Sequence, residues 1–154
     1  MAERSMPTGF KFVMSTKLGK LMQDGNVWLY RKSGGTLGAR MQGAPVLLLT
    51  TRGRKTGKPR VTPLIYLQRD SGEVAVVASK GGWPSHPLWY RNLEADAAVQ
   101  VQIGRDVRKM QARTAAPEER RQVWPELLKL FPGYADYQSW SDREIPVVLL
   151  RPLA

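Results

Sequence analysis

The chain has 154 residues, of which 42% are hydrophobic and 24% charged, and its formal net charge is +11. This length fits one domain with a substantial core, and the composition is that of an ordinary globular protein. The absence of cysteine excludes disulfides, a thiol nucleophile and cysteine-ligated metal, and the single His86 cannot build a histidine-rich metal site. No apolar run reaches the roughly 20 residues that cross a bilayer, and a secretory core is missing, so we expect an intracellular, cytoplasmic protein.

The positive charge is concentrated in the first part of the chain. Residues 1–60 hold 12 Lys and Arg against 2 Asp and Glu, whereas residues 61–154 hold 12 against 11. This asymmetry favours a surface that attracts nucleic acid, anionic lipid or a polyanionic cofactor, although it is also compatible with solubility alone.

The first predicted element is a basic amphipathic helix from about Phe10 to Tyr30, interrupted or ended near Gly25. Apolar residues recur at helical spacing, with lysines among them. Such a helix either packs on the protein's own core or touches anionic membrane. Residues 33–43 are rich in glycine and predict a mobile connector. We therefore divide the chain into an N-terminal segment, residues 1–44, and a domain, residues 45–154.

Strands dominate after residue 45. Apolar, β-branched runs predict three strands, at 46–51, 61–67 and 73–79, and Pro63 indicates an edge or a bulge in the second. The later elements follow in this order: a short helix at 86–95, two strands at 98–103 and about 106–113, a helix at 117–130 that Pro125 should kink or divide, a short aromatic helix, and a last strand at 145–150. About six mostly antiparallel strands with few helices predict a mainly β fold with flanking helices, a closed or split β-barrel.

The most informative segment lies between the first two of these strands. Residues 53–60, Gly-Arg-Lys-Thr-Gly-Lys-Pro-Arg, carry four cations and two glycines. Glycine lets the backbone approach a ligand closely, and Arg offers a bidentate fork to phosphates and carboxylates. The segment has neither the βαβ context of a dinucleotide site nor the Walker pattern. It predicts an anion-binding loop, the alternative being a solvated hairpin tip.

Four segments together resemble one known family. They are residues 49–60 (LTTRGRKTGKPR), 78–82 (ASKGG), 87–93 (PLWYRNL) and 134–140 (YADYQSW). In order and spacing they resemble the deazaflavin-dependent nitroreductase family, split-barrel oxidoreductases that use coenzyme F420, over residues 45–152. The resemblance implies an F420H2-dependent enzyme that transfers a hydride to a quinone-like or nitroaromatic acceptor. F420, an 8-hydroxy-5-deazaflavin with a phosphodiester and an oligoglutamate tail, is a polyanion and suits the cationic loop.

The resemblance also implies roles for particular residues. The phosphate and tail would contact Arg54, Lys55, Thr56, Lys58 and Arg60. The deazaflavin ring would lie against the second glycine turn and its surroundings, namely Pro63, Ala78, Ser79, Lys80, Gly81, Gly82, Leu88 and Trp89. In that turn the backbone N–H groups would bond ring carbonyls, whereas Leu88 and Trp89 could equally be plain core.

The same resemblance implies an acceptor side. Hydride addition to a quinone or nitro group leaves an oxyanion, which needs nearby hydrogen-bond donors. The candidates are Tyr66, Ser79, Tyr134 and Tyr137, although the last two could equally form a packing stripe. Phe131 stands where some members of the family have tyrosine, which affects acceptor choice rather than cofactor binding. His86 is assigned no role.

Three other functions stay open at this stage. They are an FMN-dependent split-barrel oxidase, a non-catalytic F420 carrier or sensor, and a nucleic-acid-binding barrel. The last is disfavoured because a stacking platform interleaves aromatic and basic residues, whereas here they are separate. We expect a small-molecule acceptor, no nucleic acid and no metal, with peripheral contact to the inner face of the membrane if the N-terminal helix is not core.

Overall fold

The computed structural model describes residues 17–41, 43–82 and 84–153. Its helices are α1 (Lys17–Lys32), α2 (Leu88–Ala95), α3 (Pro117–Leu130) and α4 (Gly133–Ser139). Its strands are β1 (Arg40–Met41), β2 (Ala44–Arg52), β3 (Pro59–Gln68), β4 (Val74–Val77), β5 (Ala98–Ile103), β6 (Asp106–Thr114) and β7 (Val147–Pro152). None of the described helices is long and apolar enough to span a bilayer.

Strands β2 to β7 form a closed antiparallel barrel. Neighbouring strands follow the order β2, β3, β4, β7, β6, β5, and β5 then pairs with β2. The closing contact is short, with Leu48 opposite Gln102, Leu49 opposite Val101 and Thr50 opposite Gln100. The predicted barrel of about six antiparallel strands is confirmed, and the two-residue β1 pairs with the start of β2.

Alternation along the strands separates two cores. Leu47 and Leu49 belong to the cluster that also holds Trp89, Tyr90 and Leu93 of α2. The opposite faces of β3, β4 and β7 pack against α3 and α4, and this second cluster holds these buried residues: Val46, Ile65, Val77, Val123, Leu127, Phe131, Tyr134, Val147 and Leu149. Because successive side chains of a strand point to opposite faces, β2, β3, β4 and β7 each contribute to both clusters, whereas β5 and β6 contribute only to the first.

Helix α1 packs on the outside of the barrel. Its buried residues Val27 and Tyr30 join Leu48 of β2 in a third cluster. The Tyr30 hydroxyl donates to the Gln102 carbonyl at 3.3 Å and accepts from the Gly104 N–H at 2.8 Å. The predicted interruption at Gly25 is wrong: the helix runs through it to Lys32, because anchors beyond the glycine hold it. The start of the predicted helix, up to residue 16, lies outside the described residues, and the division at residue 44 stays a prediction.

Pro125 and the glycine-rich connector differ in detail from the expectations, whereas the edge position predicted for Pro63 is confirmed. Pro125 does not divide α3, since it is exposed while the helix is anchored on either side by buried Val123 and Leu127. Pro63 lies where β3 pairs with β2 alone, because the pairing with β4 begins at Tyr66. A side chain at Gly35, in the predicted connector, would lie 2.4 Å from the Gly104 Cα, so this segment packs closely on the β5–β6 turn.

Candidate active site

Two turns lie at the same end of the barrel. The cationic loop, residues 53–58, follows the end of β2, and the second glycine turn, Lys80–Gly82, follows the end of β4. Both strands run antiparallel to β3 and so run towards the end of the barrel at which β3 begins, with Arg52 opposite Pro59 and Val76 opposite Tyr66. The fold therefore places the two motifs that the sequence singled out towards the same end of the barrel.

The cationic loop is held by its own backbone. The Gly53 N–H donates to the Lys58 carbonyl and the Gly57 N–H to the Gly53 carbonyl, both at 2.8 Å. The Lys58 N–H donates to the Thr56 hydroxyl at 3.3 Å, and the Arg54 N–H donates to Asn92 Oδ1 at 3.2 Å. These bonds fix the backbone of the loop, from which the cationic side chains project.

The side chains of this loop reach into solvent without acidic partners. Arg54, Lys55, Lys58 and Arg60 are all exposed, and within the described residues no carboxylate lies at ion-pair distance from any of them. Elsewhere, cations do find carboxylates: Arg113 pairs with Glu119 at 2.6 Å. Four unneutralised cations on a fixed loop fit a polyanion bearing phosphate and carboxylate groups.

The second glycine turn is conformationally unusual. Lys80 has φ +46°, and among the described residues it is the only one besides glycine with a positive φ. Such strain costs of order 1–3 kcal/mol and is concentrated at functional sites. The Gly82 N–H donates to the Ser79 carbonyl at 2.9 Å. Because the Gly82 N–H is already hydrogen-bonded within the turn, the backbone contacts predicted for the ring apply to the N–H groups of Ser79, Lys80 and Gly81.

Arg143 holds the start of this turn through hydrogen bonds to its backbone. Its guanidinium donates to the carbonyls of Ala78 at 3.2 Å and Ser79 at 2.8 Å. It lies 3.1 Å from His86 Nδ1, and because Arg can only donate, that nitrogen accepts. Burial, then the charge of Arg143, lowers the pKa of His86, so the ring is neutral at pH 7. His86 thus supports Arg143, a role that the sequence did not suggest.

A second group of cations forms around the turn. Burial lowers the pKa of Lys80, and the charges of Arg91 on α2 and of Arg143 lower it further. Three positive groups therefore influence one another at the glycine turn. Like charges close together lower one another's pKa, so the lowered pKa of Lys80 reflects a locally positive environment at this turn.

The turn and the tyrosine helix are in direct contact. A side chain at Gly82 would lie 2.7 Å from the Tyr137 carbonyl oxygen and 3.3 Å from the Trp140 ring. Tyr137 is half-buried, and burial raises its pKa. Tyr134 is buried within the aromatic cluster, 4.9 Å from the Phe131 ring between centroids, and burial raises its pKa strongly. Both phenols stay protonated and can donate, but Tyr137 is the more accessible.

Tyr66, another candidate on the acceptor side, does not share a cluster with Tyr134 and Tyr137. Tyr66 packs against the cluster that contains Leu47, while its neighbour Ile65 joins the cluster of Tyr134. The pKa of Tyr66 is raised by burial and by nearby Tyr30, which places it towards α1. The structure therefore separates Tyr66 from the tyrosine pair, because adjacent residues of a strand face opposite ways.

Leu88 and Trp89, the residues predicted to lie beside the deazaflavin ring, differ in their exposure to solvent. Trp89 is 6% exposed and packs inside the barrel end, which is the core alternative given above. Leu88 is 66% exposed and is the one of the two that faces solvent. Within the described residues, no cluster of three or more His, Asp or Glu could hold a metal ion.

Sequence patterns did not reveal Asn92, Arg91 or Arg143. Two of them act across a long sequence separation: Asn92 bonds a residue 41 positions away, and Arg143 bonds carbonyls 64 and 65 positions away. The only available signal was that Arg91 and Asn92 fall within the segment PLWYRNL.

Comparison with known proteins decides the family. The profile of the family described as F420H(2)-dependent quinone reductase matches residues 23–152. The chain belongs to this family. An F420H(2)-dependent quinone reductase of Mycobacterium tuberculosis (strain ATCC 25618 / H37Rv) is 39% identical over 131 residues, which are 79% of this chain and 84% of the relative.

Solved structures agree with this membership. A structure described as an F420-H2 dependent reductase (FDR-A) is 44% identical, with a TM-score of 0.64, over 70% of this chain and 94% of the other. One described as a domain-swapped dimer is 36% identical, with a TM-score of 0.66, over 88% of this chain and all of the other. The predicted family, split-barrel fold, oxidoreductase class and cofactor F420 are confirmed, and the family acts on quinones.

Proposed function

We propose that this F420H2-dependent reductase binds the anionic part of its cofactor on the cationic loop and reduces a quinone beside Tyr137. The observation that carries the proposal is the set of four exposed loop cations, which have no carboxylate partner among the described residues. When bound, reduced F420 supplies a hydride to the acceptor. The roles below belong to the residues of this chain.

The main role of the loop in this proposal is to bind the negative charges of the cofactor. Arg54, Lys55, Lys58 and Arg60 would hold the phosphodiester and glutamate carboxylates by charge-assisted hydrogen bonds, with the Thr56 hydroxyl as a further donor. The internal bonds of the loop keep these side chains on a fixed backbone, so little ordering is needed when the anion arrives. At the glycine turn, Lys80 and the Ser79 N–H would serve the ring, next to Pro63 and Ala78.

Proton donation is the task of the acceptor side. Negative charge develops on the quinone oxygen during reduction, and a donor already in place stabilises it. Tyr137 is the candidate for this donor because its side chain is half-buried and protonated and its backbone packs on the glycine turn. Tyr134 supports it through ring contact at 6.3 Å between centroids, and Ser79 is the other hydroxyl at the turn.

The deciding experiment compares cofactors and loop variants. The protein should bind F420 much more tightly than FMN, because FMN lacks the glutamate tail and engages fewer loop cations. Arg54→Ala with Arg60→Ala should raise the KM for reduced F420 and reduce its dependence on salt, since each charge-assisted bond is worth about 1.5–3 kcal/mol.

A matched control is available on α1. Arg31→Ala with Lys32→Ala removes the same charge from exposed residues away from the loop, and it should leave the KM unchanged. Equal affinity for F420 and FMN would favour the FMN-dependent oxidase. Tight F420 binding without turnover of menadione would favour the carrier.

A second proposal concerns the outer face of α1 and an anionic membrane. Leu21, Trp28 and Leu29 are 67%, 59% and 40% exposed, on the side of the helix away from buried Val27 and Tyr30. Exposed Arg31 and Lys32 lie at its end. An apolar face accompanied by cations is suited to the surface of an anionic bilayer, where a lipid-soluble quinone would be found.

Vesicle sedimentation tests this second proposal. The protein should sediment with phosphatidylserine vesicles, and Trp28→Ser with Leu21→Ser should abolish this. Val107→Ser, which changes a residue 51% exposed on β6, should not. Equal sedimentation of all three proteins would contradict membrane contact through α1.

A further inference from the structure

We infer that Asn92 is a positioning residue that, together with Thr51, fixes the cationic loop to helix α2. The inference rests on the proposed function, in which that loop binds the anionic part of F420. It assigns to Asn92 a task for which no direct contact with the cofactor is needed.

The polar pair is unusual in its surroundings. Among the described residues, Thr51 (1% exposed) and Asn92 (7% exposed) are the only two buried polar side chains. Asn92 Nδ2 donates to the Thr51 hydroxyl at 3.2 Å, and Asn92 Oδ1 accepts from the Arg54 N–H at 3.2 Å. One amide thus joins the end of β2, the start of the loop and the middle of α2.

This link is the one that ties the loop to a distant element. Among the hydrogen bonds of the described residues, the others of the loop stay within residues 53–58. Without Asn92, the loop would keep its shape but could swing about its two flanking strands. With Asn92, the Cα of Arg54 keeps a set distance from α2, which also carries Trp89 one turn before Asn92.

Stability alone does not explain why the pair is polar. The hydrogen bond between the Asn92 amide and the Thr51 hydroxyl adds little net stability, and replacing both of its partners by apolar groups of similar shape is nearly neutral. The same replacement removes the acceptor of the Arg54 N–H, so a modest loss of stability is expected from that amide alone. Leu fits the volume of Asn92 approximately, and Val is isosteric with Thr51. A purely structural role would therefore be replaceable by an apolar pair, whereas a positioning role would not.

The test uses this difference in the full-length protein. Asn92→Leu with Thr51→Val should remain folded, with an unfolding temperature lowered by a few degrees at most, yet bind F420 about tenfold more weakly with kcat for menadione unchanged at saturating cofactor. In the ligand-free protein, hydrogen exchange at the Arg54 amide should become faster. The single variant Thr51→Ser, which keeps both Asn92 and a hydroxyl, should retain the wild-type affinity and the slow exchange.

The outcomes separate this inference from the proposed function. Wild-type affinity and unchanged Arg54 exchange in the double variant would overturn the positioning role. If the double variant is too unstable to measure, Thr51→Val alone is compared with Thr51→Ser, and equal affinity and exchange in these two would also overturn it. If instead the wild type fails to bind F420, the proposed function fails, while the exchange measurement still decides whether Asn92 fixes the loop.

Discussion

The contact between the second glycine turn and α4 makes a quantitative prediction at Gly82. Its φ is +79°, and an added Cβ would lie 2.7 Å from the Tyr137 carbonyl oxygen and 3.0 Å from the Tyr137 Cα. Gly82→Ala therefore combines left-handed strain, about 1–2 kcal/mol, with overpacking against backbone, about 1–3 kcal/mol. The overpacking is relieved only if the backbones of the turn and of Tyr137 move apart.

Gly43 supplies a matched control. Its φ of +82° is nearly the same, but no described atom lies within 4 Å of its added Cβ. Gly43→Ala should carry the strain without the overpacking. The two variants should differ by about 1–3 kcal/mol in unfolding free energy, and at about 2–4 °C per kcal/mol this is a gap of several degrees in Tm.

Thermal unfolding and turnover together test the geometry. Gly82→Ala should unfold at the lower temperature and lose kcat with menadione, because the acceptor-side tyrosine is displaced. Gly43→Ala should keep its kcat. Equal melting temperatures and equal kcat in the two variants would refute the contact between the turn and α4.

Three further predictions concern single side chains. Tyr137→Phe should lower kcat for menadione roughly tenfold or more at unchanged F420 affinity, whereas Tyr134→Phe should change kcat little; the reverse order in steady-state kinetics would make Tyr134 the donor. Lys80→Gly relieves the positive φ, so calorimetry should show a more stable protein than Lys80→Ala, while both bind F420 more weakly by titration. The pKa of Glu119 falls to about 2 through its bond from Arg113, so Glu119→Gln should cost about 0.5–1 kcal/mol at pH 7. That loss should vanish as pH falls from 4.5 through 2, and a pH-independent difference in denaturant unfolding would contradict it.

Strands and turns could be predicted from the sequence because local patterns specify them. Alternating residues such as Val99 and Val101 gave β5, and the loop cations were apparent from composition alone. The helix breaks predicted at Gly25 and Pro125 do not occur, because buried residues near them hold each helix against the barrel despite the unfavourable residue. For helices, packing of a buried face outweighs intrinsic propensity.

The candidate site was only partly predictable, for a different reason. Tyr66 and Ile65 are neighbours, and one residue of register decides which of them faces α4. That register depends on the pairing of β3 with β2 and β4, which no local pattern contains. Asn92 and Arg143 were missed because their partners are distant in sequence and their chemistry is ordinary hydrogen bonding.

The closing contact between β2 and β5 has a consequence for how the protein aggregates. Residues 46–51, Val-Leu-Leu-Leu-Thr-Thr, form an apolar, β-prone and uncharged segment of the kind that assembles into intermolecular sheets when its edge is exposed. In the barrel this segment is flanked by β3 on one side and by three residue pairs of β5 on the other. If that short seam opens, one edge of the most apolar strand becomes available to another molecule. Aggregation on heating should therefore begin at the seam and involve β2, well before the rest of the barrel unfolds.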